Sequence, residues 1–109
     1  MEINYLKLQA IKELSVESLL QNNWEEYYDC QIFKQGNVVH ISLTVRYGTD
    51  RIILTLPQDF TPKKLIYFPA TLAEIDVEDN YVAINASGEL SCSTNVVGKL
   101  LFCNFTYKI

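Results

Sequence analysis

A run of side chains suited to sugar recognition lies at Trp24-Glu25-Glu26-Tyr27-Tyr28-Asp29. Aromatic rings stack on the apolar faces of saccharides, and neighbouring carboxylates accept hydroxyl protons. Trp24 also admits a second reading, as a core residue at one end of a strand, because large aromatics contribute most to small cores. Tyr27, of opposite parity, then faces solvent. Tyr47, Asp50, Asp76, Asp79 and Tyr81 carry the same chemistry elsewhere. Together with Trp24 and Tyr27 they form the candidate ligand-binding set.

Catalysis has little to work with. His40 is the one imidazole and falls mid-strand on the face opposite the apolar set, which suits a partly exposed strand residue better than a general base. No Gly-rich phosphate loop and no serine elbow are present. Glu74, Asp76, Glu78 and Asp79 offer oxygens to a hard cation, but without the glycine-containing spacing of a cation loop they read as a solvated turn. Cys30, Cys92 and Cys103 are too few and scattered for a disulfide framework. Two of them sit inside alternating apolar runs, as small buried hydrophobes do. Zinc would need more ligands at short spacing. The expectation is a non-enzyme with no cofactor and no metal.

Charge and composition narrow the partners. The 109 residues carry 9 basic and 13 acidic side chains, a net charge of −4. No Lys/Arg stripe exists, and Lys63-Lys64 is the only basic pair, so a nucleic-acid partner is not expected. Apolar stretches fall far short of the ~20 residues that span a bilayer, so no membrane insertion is expected. No secretory signal opens the sequence. Length and a 49% apolar content fit one modest domain.

Period-2 alternation dominates. Val39, Ile41, Leu43 and Val45 fall on one face of Asn37–Arg46, and the Gln35-Gly36-Asn37 turn joins this strand to Gln31–Lys34. Ile52, Leu54 and Leu56 alternate before Pro57, and Leu65–Phe68 makes a short strand stopped by Pro69. The Pro57–Pro62 loop reads as a structural turn anchored by Phe60. Tyr81–Asn85 and Glu89–Ser93 flank an Ala86-Ser87-Gly88 turn, and Lys99–Lys108 closes the chain. Residues 5–20 alternate better than they fit a helical wheel and read as extended, with a short helix near Ile11–Leu20 as the other reading. The fold class is all-β, an antiparallel sandwich or barrel.

The order of several motifs resembles a known family. These are Leu19-Leu20-Gln21-Asn22-Asn23-Trp24, Gly36-Asn37-Val38-Val39, Leu56-Pro57-Gln58-Asp59-Phe60-Thr61-Pro62 and Ile84-Asn85-Ala86-Ser87-Gly88 ahead of a final aromatic strand. Over residues 19–109 the chain resembles the C-terminal head domains of tailed-phage receptor-binding proteins, the tail fibres and baseplate tip proteins. That resemblance implies a β-sandwich head on the virion tail that forms a homotrimer and binds host surface saccharides. It transfers no binding residue, since the sugar site varies among members. Residues 1–20 are expected as an N-terminal extended segment (a shaft, neck or interface strand) and 21–109 as the head. The trimer contact is expected at Leu6, Leu8, Leu100 and Phe102. One small sandwich cannot bury both apolar faces of the last strand together with the even-numbered leucines near the start. The alternative function is a trimerisation or connector module of a tail with no glycan site.

Overall fold

The computed structural model describes residues 11–72 and 80–109. The expectations at Leu6, Leu8, Asp76 and Asp79 lie outside that range. The described chain is all-β, built from two antiparallel sheets. The larger contains β1 (Lys12–Leu14), β2 (Glu25–Glu26), β3 (Gln31–Gln35), β4 (Val38–Arg46), β7 (Thr71–Leu72) and β10 (Leu101–Lys108). Its order is β1-β3-β4-β10-β7, with β2 continuing the β3 side of β4. The smaller sheet runs β5-β9-β8-β6, from β5 (Ile52–Thr55), β6 (Ile66–Pro69), β8 (Tyr81–Ile84) and β9 (Glu89–Cys92).

Alternation in the sequence sets the register. Val39, Ile41, Leu43 and Val45 are buried while His40, Ser42, Thr44 and Arg46 point outward. β10 does the same, turning Leu101, Cys103, Phe105 and Tyr107 inward opposite them. The smaller sheet contributes Ile53, Leu54, Val82, Ile84, Leu90 and Cys92 to the same core. Each such aliphatic side chain contributes about 1.5–3 kcal/mol by leaving water. The Phe68 and Phe105 rings stack across the layers at 4.0 Å.

Both hairpins form where their turns direct. Gly88, at φ 88°, could not carry a Cβ without meeting the Leu56 carbonyl at 2.6 Å. Phe60 is fully buried under its turn, and its carbonyl accepts the Tyr107 hydroxyl at 2.6 Å.

Four expectations change. Residues 11–20 are part extended and part helical: β1 pairs with β3, then α1 (Val16–Leu19) makes one turn that buries Val16. In β5 a bulge between Ile52 and Leu54 breaks the alternation, so Ile53 is buried beside Leu54 and Ile52 is only half-buried. Pro69 does not stop its strand but pairs with Tyr81, because β6 is a sheet edge where a missing N–H costs no ladder bond. Thr94–Val96 forms a 3₁₀ turn that buries Val96, so the last strand begins at Leu101 rather than Lys99.

Strand polarity gives the molecule two distinct ends. The end of β4, the starts of β5, β8 and β10, and β2 gather at one end, joined by residues 47–51. The Gly36 turn, the Gly88 turn and the 57–65 loop lie at the other. Lys12 lies level with Lys34 and Val39, so β1 enters at this second end.

Candidate functional site

Arg46 is the last residue of β4 and faces outward, and the connection after it begins with Tyr47 in the left-handed region at φ 66°. A bulky side chain there is a genuine outlier, costing about 1–3 kcal/mol that the surroundings must offset. The reason for the conformation lies in the rings. The Arg46 guanidinium sits between two tyrosines, 4.6 Å from the Tyr27 ring centre and 4.4 Å from that of Tyr47. Both rings are about half exposed, at 51% and 55%. Each cation–π contact contributes about 0.5–1 kcal/mol at such a site.

Tyr27 is fixed by its backbone, whose N–H donates to the Thr44 carbonyl at 2.8 Å. The Glu25 carboxylate lies 3.5 Å from Arg46 Nε, an ion pair without hydrogen-bond geometry, since that buried nitrogen has no hydrogen-bond acceptor. Exposed pairs of this kind contribute well under 1 kcal/mol.

Beneath the stack, Trp24 is 4% exposed and its indole N–H donates to the Asp50 carbonyl at 2.9 Å. Gly48 lies flat against that indole, leaving no room for a Cβ. Asn22 and Asn23 take left-handed conformations that short polar residues tolerate, turning the chain around the indole.

Along the same outer face a cleft of about 440 Å³ is lined by Ser42, Thr44, Pro69, Thr71, Phe102 and Asn104 among others. The register makes it continuous with the stack: Thr44 lies two residues before Arg46 and is paired with Phe102, which in turn pairs with Thr71. Three hydroxyls and one amide therefore line the cleft beside the Phe102 ring.

A second tyrosine pair occupies the same end on the smaller sheet. Tyr67, 60% exposed, meets Tyr81 edge to face at 5.2 Å, and Arg51 Nη2 donates to the Tyr81 hydroxyl at 3.3 Å.

Of the residues expected to bind ligand, Tyr27 and Tyr47 share one cation and Tyr81 lies on the neighbouring sheet. For Trp24 the core reading holds and the ligand-binding one is dropped: its ring is buried and presents no face to a ligand. Asp50 turns one carboxylate oxygen back to the Ile52 N–H at 3.2 Å, and so caps the turn. Sequence reasoning missed Arg46, Thr44 and Asn104, which it read only as the polar face of their strands. The signal available was Arg46 immediately before Tyr47 at a strand end.

The thiols belong to the core. Burial pushes Cys92 up to about 11 and Cys103 up to about 12, and it also raises Cys30, whose Sγ contacts the Thr44 backbone. No group of three or more metal-ligating side chains gathers among the described residues. None of their helices is long and apolar enough to cross a membrane.

An all-β domain with two antiparallel sheets and a ringed cation at one end is the class that fold and site define. Among solved structures it is similar to the receptor binding protein (gp15) of Listeria phage PSA, with a TM-score of 0.73. The match covers 99% of this chain and 71% of that one at 15% identity, a likeness of fold. No family model and no curated protein matches the sequence.

Proposed function

We propose that this chain is a receptor-binding head of a tailed-phage adhesion apparatus, carried on the virion tail, whose ligand is a host cell-surface saccharide. The observation that carries this reading is the Tyr27–Arg46–Tyr47 stack beside a cleft of hydroxyls and one amide. Stacking surface next to neutral hydrogen-bonding groups suits a polyhydroxylated ligand. The fold shared with a phage receptor binding protein supports the adhesive role. Neither a catalytic step nor a cofactor enters it. The chain enters the described body at the end opposite the stack, which leaves Tyr27 and Tyr47 outermost if the domain is held from that side.

Binding of the labelled protein to intact host cells, with competition by purified surface glycan, tests the reading. Arg46→Ala and Thr44→Lys should each lower binding at least tenfold while the fold is retained. Undiminished binding by both variants would refute the site. A protein that binds no cell or glycan would favour the connector module.

The proposal extends to a homotrimer with Leu100 and Phe102 in the contact. Phe102, 37% exposed on the outer face of β10, supports it. Light scattering on Phe102→Asp should give one third of the parental mass, because burying an unpaired carboxylate costs several kcal/mol. A parental mass near 12.5 kDa would overturn the assembly.

A further inference from the structure

We propose that the open side of the molecule, between β10 and β6, takes up an extended acidic segment of a protein partner, which adds to β10 as a strand.

Among the described residues, β10 pairs along its whole length with β4, but on its other side only Leu101 and Phe102 are paired, with β7. From Cys103 to Lys108 no strand among the described residues pairs with that edge. The smaller sheet ends on the same side with β6, whose Phe68 stacks on Phe105 and which pairs with β8 alone among the described strands. A row of unpaired backbone groups is a template for strand addition.

The lower end of this side has pocket and charge as well. Pro62, Leu65 and Ile66 line a groove of about 270 Å³, with Lys63, Lys64 and Lys108 around it. Leu65 is 52% exposed. None of these three lysines makes an ion pair among the described residues, whereas Lys12 and Lys34 reach Asp59 and Arg46 reaches Glu25. Three cations without an ion-pair partner among the described residues therefore concentrate at one groove on a chain of net charge −4.

Charge selects the occupant. A second copy adding through its own β10, Leu101–Lys108, carries no carboxylate to set against the lysines. A segment alternating carboxylates with aliphatic side chains places acids against the lysines and aliphatics in the groove, with period 2 as the strand requires. A polyanion without apolar groups uses the lysines but neither the groove nor the edge.

The test is a heteronuclear NMR titration of the full chain with the probe acetyl-Glu-Val-Glu-Leu-Glu-Val-Glu-amide, and with poly-L-glutamate as control. Saturable shifts at residues 62–66 and 103–108 are expected. Those β10 amides that do not bond to β4 should also become protected from hydrogen exchange. The Lys63→Glu/Lys64→Glu variant should weaken the probe at least tenfold, and Leu65→Ser, with its charges intact, at least threefold. Both changes lie on exposed side chains, so the folded spectrum is retained. No saturation at millimolar probe, shifts confined to the tyrosine end, or equal binding of poly-L-glutamate without amide protection would each overturn the proposal.

Discussion

Replacing Gly48 with alanine drives a methyl group into the Trp24 indole. Gly48 has no positive φ, so backbone strain plays no part and the effect is steric. The obstacle is a rigid ring, 4% exposed and held by its N–H to the Asp50 carbonyl at 2.9 Å. Overpacking of this kind costs about 1–3 kcal/mol, and a broken buried hydrogen bond adds about 1 kcal/mol. The expected loss is about 2–4 kcal/mol, a large part of the ~5–15 kcal/mol that holds a small domain folded. That corresponds to a fall in Tm on the order of 10–20 °C. Trp24 is the single tryptophan, so its fluorescence reports the displaced ring directly, and urea melts followed by circular dichroism give the energy. A red-shifted emission with the lowered Tm is expected. Parental emission and a stability within about 0.5 kcal/mol would refute the claim that Gly48 is required by the indole.

Tyr47→Gly relieves the left-handed strain of about 1–3 kcal/mol, removes a cation–π contact of about 0.5–1 kcal/mol and adds the entropy cost of a glycine, about 0.5–1 kcal/mol. The melt should stay within about 1 kcal/mol of the parent while cell binding falls. Tyr107→Phe leaves the Phe60 carbonyl without its donor and should cost about 1–3 kcal/mol in a urea melt. Burial also holds the Tyr107 hydroxyl well above the ordinary tyrosine range, and the thiols of Cys92 and Cys103 at about 11 and 12. Because these folded-state values are raised, their contribution is complete below pH ~9 and is lost as pH climbs past it. Melts between pH 8 and 11 should show this fall, reduced in Tyr107→Phe. A thiol titration at pH 8 should find Cys92 and Cys103 unreactive until denaturant is added, with half-buried Cys30 reacting first; three fast thiols would contradict the burial.

In the larger sheet β3, β4 and β10 were legible, because alternation such as that from Val38 to Arg46 leaves only one face to bury, whereas the two-residue β2 and β7 are too short to carry a pattern. Local turn chemistry likewise fixed both hairpins. The bulge at Ile53 could not be read, since it satisfies the packing of two sheets rather than any pattern within β5. Nor could the passage from β6 to β7 at Ala70, where the chain changes sheets. The site was half legible. Tyr27 and Tyr47 stood out as exposed aromatics, but their shared cation is a contact between residues 46 and 27, made only when β2 pairs beside β4. Trp24 stayed open between core and ligand readings for the corresponding reason: its cover, Gly48, is remote in sequence.

The entry of β1 at the end away from the tyrosines has a mechanical meaning. A tether pulling on Lys12, with a ligand anchored at Arg46, loads the chain along its strands. The rungs between β1 and β3, at Lys12, Glu13 and Leu14, then carry tension side by side in shear instead of opening one at a time. From β3 the load passes to β4, whose last residue is Arg46 itself. Three short rungs are the weakest link in that line, so β1 slips first, while the longer ladders that position the stack stay whole. Held from that end, the domain would have a built-in fuse there, and the Arg46 stack would be the last part to yield.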